Sequence, residues 1–242
     1  MDIHKPKPWH SFREFLKEYL IIVIGVLTAL GAEGVVEKFH EARLSAEARE
    51  AVRGEIAADL GWMQVNQQQT RCMDRRLEEL SAILAAAREG QPHPVAQWVG
   101  RPLNQPVSTK RWTAASQAGR AALFGSEEQG TYGTFYFVID GFVTHQDREQ
   151  QAWATLRTLE SAKTLSPQMV WGLSEALQRA RIENYGVKRS TDRALASAKT
   201  LGITPIAAPH KAADVAVLPI CVPIDADRAT ALRMIANPTG EP

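Results

Sequence analysis

No proline interrupts this chain between Pro8 and Pro92, the longest such gap in a 242-residue sequence with 13 prolines. Proline is the strongest breaker of a helix interior, so its absence leaves one very long helix open to the N-terminal third. Charge imbalance is missing as well. With 28 Lys and Arg against 27 Asp and Glu, the net charge is +1, which removes the electrostatic reason to expect a nucleic-acid partner. Cysteine is scarce: Cys72 and Cys221 are the whole complement. That excludes a disulfide-dense scaffold and a cysteine-based zinc site, and leaves one possible bridge. No low-complexity block and no solenoid-length repeat appears, so the extramembrane part is expected to be one continuous domain.

What is present is an apolar run, Tyr19 to Ala32, YLIIVIGVLTALGA. Extended from Phe15 to Val36 it spans about 33 Å as a helix, enough for a hydrocarbon layer of roughly 30 Å. Lys17 and Glu18 lie at one end and Glu33 near the other, where charges snorkel or cost less than at the centre. Trp9, Phe12, Phe15 and Tyr19 supply aromatic side chains for the near interface. Ala29-Leu30-Gly31 also fits a signal-peptide cleavage rule. An uncleaved anchor is the favoured expectation, with a cleaved leader or a buried core helix as alternatives. Lys5, Lys7, Arg13 and Lys17 flank one side against Lys38 and Arg43 on the other, which predicts a cytoplasmic N-terminus and a periplasmic bulk at a bacterial inner membrane. The expected divisions are a short segment at 1–18, a transmembrane helix at 19–36 and a helical extramembrane domain at 37–242.

Helix punctuation predicts an all-α fold in which the transmembrane helix continues into a stalk and packs with an antiparallel helical bundle. Ser11 with Glu14 has the capping-box spacing, and Gly90 before Pro92 suits a stop. Between them Leu44, Ala48, Val52, Ile56, Leu60 and Met63, then Leu77, Leu80 and Leu84, keep a period near 3.6. Gly54 and Gly61 are expected bend sites, and the polar patch Asn66 to Thr70 is expected to face water or a partner. Four prolines make Gln91 to Ser108 an extended connection. Thr109 is expected to cap a short helix from Lys110 to Phe124. Ser126 with Gln129 opens a long helix to about Lys163, and Ser166-Pro167 opens another that Gly202 closes. These two should form an antiparallel hairpin. Ala213 to Val222 is the one candidate strand, and Asp225 to Ala236 a terminal helix.

The search for chemistry removes reaction classes. His40-Glu41 begins a zinc-protease signature, but Leu44 stands where the second histidine is needed. Glu37-x-x-His40 is half of a di-iron motif without its facing half. His145 and Glu149, near Asp140 and Asp147, have helical spacing that suits a metal or, more simply, surface pairing. Gly172-Leu173-Ser174-Glu175-Ala176 lacks the closing glycine of a nucleophile elbow. No catalytic residue, cofactor or metal site is assigned, and a non-enzymatic protein is expected. Arg71, Arg75 and Arg76 are candidates for docking an acidic partner, against pairing within their own helix. The six tryptophans, at 9, 62, 98, 112, 153 and 171, read as interhelical packing.

Gly25, Thr28, Ala29 and Ala32 share one helix face, which Glu33 continues. Small residues admit a second helix closely, and an ionisable group there wants a partner rather than lipid. Beyond the bilayer itself, this face is expected to meet another membrane protein or a second copy of the chain. Cys72 and Cys221 are either bonded or two buried thiols; bonded, they close a loop that stabilises by about 5 kcal/mol on the chain-entropy model.

The segments FREFLKEYLIIVIGVLTALGAEGVVEKFHEAR and AREAVRGEIAADL resemble an uncharacterised family of bacterial single-pass membrane proteins whose anchor has a similar E-x-L-x-V-x-G-V-L-x-A-L pattern. The resemblance covers roughly residues 11 to 60. It implies an inner-membrane anchor with a helical extramembrane domain and transfers no catalytic residue. Two functions stay open: a membrane-anchored accessory or scaffold subunit, and a periplasmic ligand-sensing domain with a polar cavity between the helices of residues 127 to 201.

Overall fold

The structure, a computed structural model, describes residues 12–208 and 218–236. The fold is all-α, with no strand among the described residues. Helix α1 runs unbroken from Phe12 to Arg88; α2 spans Lys110–Gln117, α3 Ser126–Leu156, α4 Pro167–Thr200 and α5 Arg228–Ala236. The long α3 and α4 form the expected antiparallel hairpin and pack against α1, which supplies the third long rod of the bundle.

Helix ends follow local chemistry where the sequence spelled it out. The Ser166 hydroxyl accepts from the Met169 amide at 3.3 Å, with Pro167 at the first helical position. Gly90 and Gly202 end α1 and α4 as expected. Other ends moved. The helix expected to Phe124 stops at Gln117, because Gly119 turns left-handed at φ 70° and a 3-10 turn, Arg120–Leu123, follows. The helix expected to Lys163 stops at Leu156, where α-geometry tightens into a 3-10 turn over Arg157–Ser161. Thr109 makes no side-chain cap. Its role passes to Glu55 of α1, whose carboxylate accepts from the amides of Arg111, at 2.9 Å, and Trp112, at 3.3 Å. A carboxylate 56 residues away in sequence thus satisfies orphan donors of α2.

The expected stalk is there: α1 continues unbroken past the apolar run, and from Ser45 onward it is packed into the bundle, while residues 12–43 project from it. Gly54 and Gly61 do not break the helix. Gly61 is instead a crossing point: the Ile206 amide donates to the Ala57 carbonyl at 2.9 Å, and a methyl at position 61 would collide with the Ile206 carbonyl. Of the expected strand, residues 213–217 lie outside the described residues, as do Ser11 and Trp9, and Pro219–Cys221 is a 3-10 turn. The terminal helix begins at Arg228, with the Asp227 carboxylate accepting from the Thr230 amide at 2.9 Å.

Two apolar cores stack along the bundle. One gathers Val52, Ile56, Leu60 and Met63 of α1 with Phe135, Ile139 and Phe142 of α3 and Ala194 of α4. The other gathers Leu77, Leu80 and Leu84 with Trp153, Leu156, Leu173 and Leu177. Between them lies a buried polar waist that includes Asn66, Gln69, Gln146, Glu149, Glu183, Asn184 and Thr191. The waist and its neighbours hold the proline-rich connection. Extended backbone laid across helices leaves amides and carbonyls without ladder partners, and each must find a side chain. Gln69 accepts from the Leu103 amide at 2.9 Å, Gln146 from Gln105 at 2.7 Å and Asp59 from Ser108 at 2.9 Å, while Gln150 donates to the Pro102 carbonyl at 3.0 Å. The patch expected to face water is therefore split: Asn66 and Gln69 are buried, Gln67 and Gln68 exposed.

Candidate functional site

The projecting arm carries the first candidate. The window of highest mean hydropathy in α1 reaches 2.1, and none of it is buried. α1 is thus one helix long and apolar enough to cross a membrane. Ile21, Ile22, Leu27 and Leu30 are each 59% exposed or more, a concentration of bare aliphatic surface that water does not favour. Added Cβ atoms at Gly25, Gly31 and Gly34 would meet nothing. The face made by Gly25, Thr28, Ala29, Ala32 and Glu33 is exposed, and Thr28 merely bonds back to the Ile24 carbonyl at 2.7 Å. Phe12, Phe15 and Tyr19 form a ladder of rings with centroids 6.4 and 6.2 Å apart. Glu37, His40 and Glu41 lie exposed on the same arm, where a solvated face was the expectation.

Cys72 and Cys221 are brought together as a disulfide, with Cα atoms 4.9 Å apart across 149 residues. The bridge ties the tail before α5 to α1. Beside it the arginine trio divides. Arg71 and Arg75 are exposed, and Arg75 donates to the Cys221 carbonyl at 3.0 Å. Arg76 is 0% exposed and does not reach a partner's surface. Its guanidinium donates to Glu79 at 2.7 Å and to the carbonyls of Trp98, Val99 and Val222. It staples the connection and the tail to α1 with four hydrogen bonds, a use of the guanidinium that no spacing rule in the sequence announces. Burial pushes its pKa down and Glu79 pushes it back up.

The same logic shifts the acids beneath the connection. Burial raises the Asp59 carboxyl to about 7, against the Ser108 amide that favours its ionised form and with the Glu55 charge adding to the rise. Tyr136, whose hydroxyl donates to Glu55 at 2.8 Å, is raised by burial and by that carboxylate. Trp112 stacks on Tyr136 at 5.3 Å, so this tryptophan packs between helices as expected. Trp98 and Trp153 are buried too, but Trp171 is 78% exposed and packs no interior.

The α3–α4 seam holds the second candidate. Surface pairing of His145 with Glu149 is not what forms. Glu149 is 1% exposed, and burial next to Glu183 raises it to about 8, with Lys188 opposing. His145 instead bonds through Nδ1 to Glu183 at 2.7 Å. The imidazole lies where a Cβ of residue 186 would stand, so Gly186 is what admits it to the backbone of α4. Residue spacing places His145 and Glu149 on one helix but cannot show that the partner comes from the facing one. Among the described residues no three His, Cys, Asp or Glu side chains are grouped to hold a metal. Above this pair a groove of about 530 Å³ runs between the two helices, lined by Asp140, Thr144, His145, Arg189, Ser190 and Arg193 among others. It is open at the surface, unlike the enclosed cavity a sensing domain was expected to contain.

Comparison of the chain with protein-family models, with curated proteins and with solved structures gives no match.

Proposed function

We propose that this protein is a membrane-tethered, non-enzymatic interaction protein, an accessory or scaffold subunit of a bacterial inner-membrane assembly. In this reading residues 19–36 cross the bilayer, residues 1–18 lie on the cytoplasmic side and residues 37–242 form the domain held in the periplasm. The observation that carries it is the arm: one end of α1 is wholly exposed and apolar while its other end is built into the bundle core. Bare aliphatic surface on this scale is stable in lipid and unstable in water. The disulfide supports an oxidising compartment, and the excess of basic residues on the N-terminal flank supports the orientation. The resemblance of residues 11 to 60 to single-pass anchors agrees with it.

The exposed small-residue face, Gly25, Thr28, Ala29 and Ala32 with Glu33, is the docking surface for another membrane helix, either a second copy or a partner subunit. Single cysteines at positions 25 and 29 of the full chain test both parts. Retention in the membrane through carbonate washing, with cross-linked species from native membranes, is the expected outcome. Release by carbonate removes the anchor, and an uncross-linked monomer removes the docking face.

A further inference from the structure

We infer that the groove between α3 and α4 is a binding site for a small soluble oxyanion, a phosphate- or carboxylate-bearing molecule. This goes beyond the tether and holds whether or not the arm spans a bilayer. The groove exists because two glycines face across the seam. Gly141 on α3 leaves only ordinary contact with the Ser190 hydroxyl, and Gly186 on α4 gives its side-chain space to the His145 ring.

The lining is cationic in excess. Arg189 and Arg193 sit one turn apart on α4, both line the groove, and neither has an ion-pair or hydrogen-bond partner among the described residues. Asp140 on the opposite wall is a single carboxylate against two guanidinium groups. Several arginines elsewhere in the bundle do find carboxylates, Arg49 with Glu128 at 2.9 Å, Arg157 with Glu160 at 3.4 Å and Arg179 with Glu175 at 2.9 Å; what sets Arg189 and Arg193 apart is that both line one groove. Two guanidinium forks that no carboxylate pairs bring a surplus of N–H donors to one concavity, the donor type that oxyanions match best.

The floor is pre-set. Glu183, 7% exposed, holds His145 by Nδ1, which fixes the ring and leaves Nε2 without a partner at the groove. The hydroxyls of Ser190 and Thr144 add short polar groups beside it. A volume of about 530 Å³ is in the range of small-molecule sites.

A lipid headgroup presents the same chemistry, and its position on the molecule argues against it. α4 at Lys188 and Thr191 lies against Asn66 to Thr70 of α1, thirty or more helical residues beyond Val36, which is roughly 45 Å along the axis. The groove therefore stands well away from the surface in which the arm would be embedded.

The test titrates the full chain in neutral detergent with inorganic phosphate by calorimetry, and in parallel titrates the same chain with detergent-dispersed phosphatidylglycerol and phosphatidylcholine. Saturable binding of one phosphate per chain is expected, weakened at least about tenfold in R189A/R193A and unchanged in R148A, an exposed arginine of α3 outside the groove. R189Q/R193Q provides a second double variant of closer shape, and circular dichroism verifies that each is folded. Absence of saturable phosphate binding, equal binding by the double variants, or binding of phosphatidylglycerol but not phosphate would overturn the assignment.

Discussion

The two halves of α1 are one continuous helix with opposite fates. Over residues 12–43, roughly 48 Å of helix, side chains meet almost nothing; from Ser45 to Arg88 the same rod is the spine of the molecule. Both halves are rich in aliphatic residues, so hydrophobicity alone does not separate them. The difference is in the pattern. The packed half alternates its apolar residues with charge at the helical period and so has one face to bury, whereas the arm is apolar all round and has no single face to offer a bundle. A helix of the second kind is stable only inside a solvent that is itself apolar.

Three measurements break or sharpen that contrast. The largest effect is expected on the packed half: C72S/C221S, which frees the tail across 149 residues, should lower the stability of the bundle by about 5 kcal/mol in denaturant titration on the chain-entropy model. An unchanged midpoint would mean the tail does not brace this half. Next comes a matched pair along one helix. Leu60→Ala, at a position 0% exposed, should cost about 3 kcal/mol, while Leu27→Ala in the arm should leave unfolding of the bundle in detergent where it was. Equal losses would show that the arm is also part of a folded core.

The third measurement is a pH profile. Asp59 at about 7 and Glu149 at about 8 both stand above their unfolded values of 3.8 and 4.5. The folded state therefore holds protons that the unfolded chain has already released, and it loses stability as pH rises from about 4.5 to 8. D59N/E149Q should flatten the part of that slope these groups cause, measured by denaturant titration at pH 5 and pH 8.5. A slope that the double variant leaves intact would place the effect elsewhere.

Much of the architecture was legible because its causes are local. Ser166-Pro167, Gly90, Gly202 and the helical period of the two apolar runs, Ala48 to Met63 and Leu77 to Leu84, each act within a turn or two of helix, and the structure uses them as written. The errors share one cause. Thr109 was the evident cap for α2, but Glu55 took its place; Arg76 seemed a surface cation, but three carbonyls claim it; Glu149 seemed the partner of His145, but Glu183 is. In each case the competing partner is remote in sequence and arrives only when the chain packs. The groove was not legible at all, since Gly141 and Arg193 have no meaning for one another until α3 and α4 lie antiparallel.

The letters alone determined that this chain is helical, where most of its helices begin and end, and that one stretch is apolar enough to cross a membrane, because propensity, capping and hydropathy are properties of short segments. Tertiary structure alone decided which polar groups are buried, which groove arginines stay free among the described residues, and that a proline-rich connection with few backbone partners is held largely by glutamine, aspartate and arginine side chains from the helices it crosses. Satisfying a buried backbone is a problem that appears only once the backbone is buried.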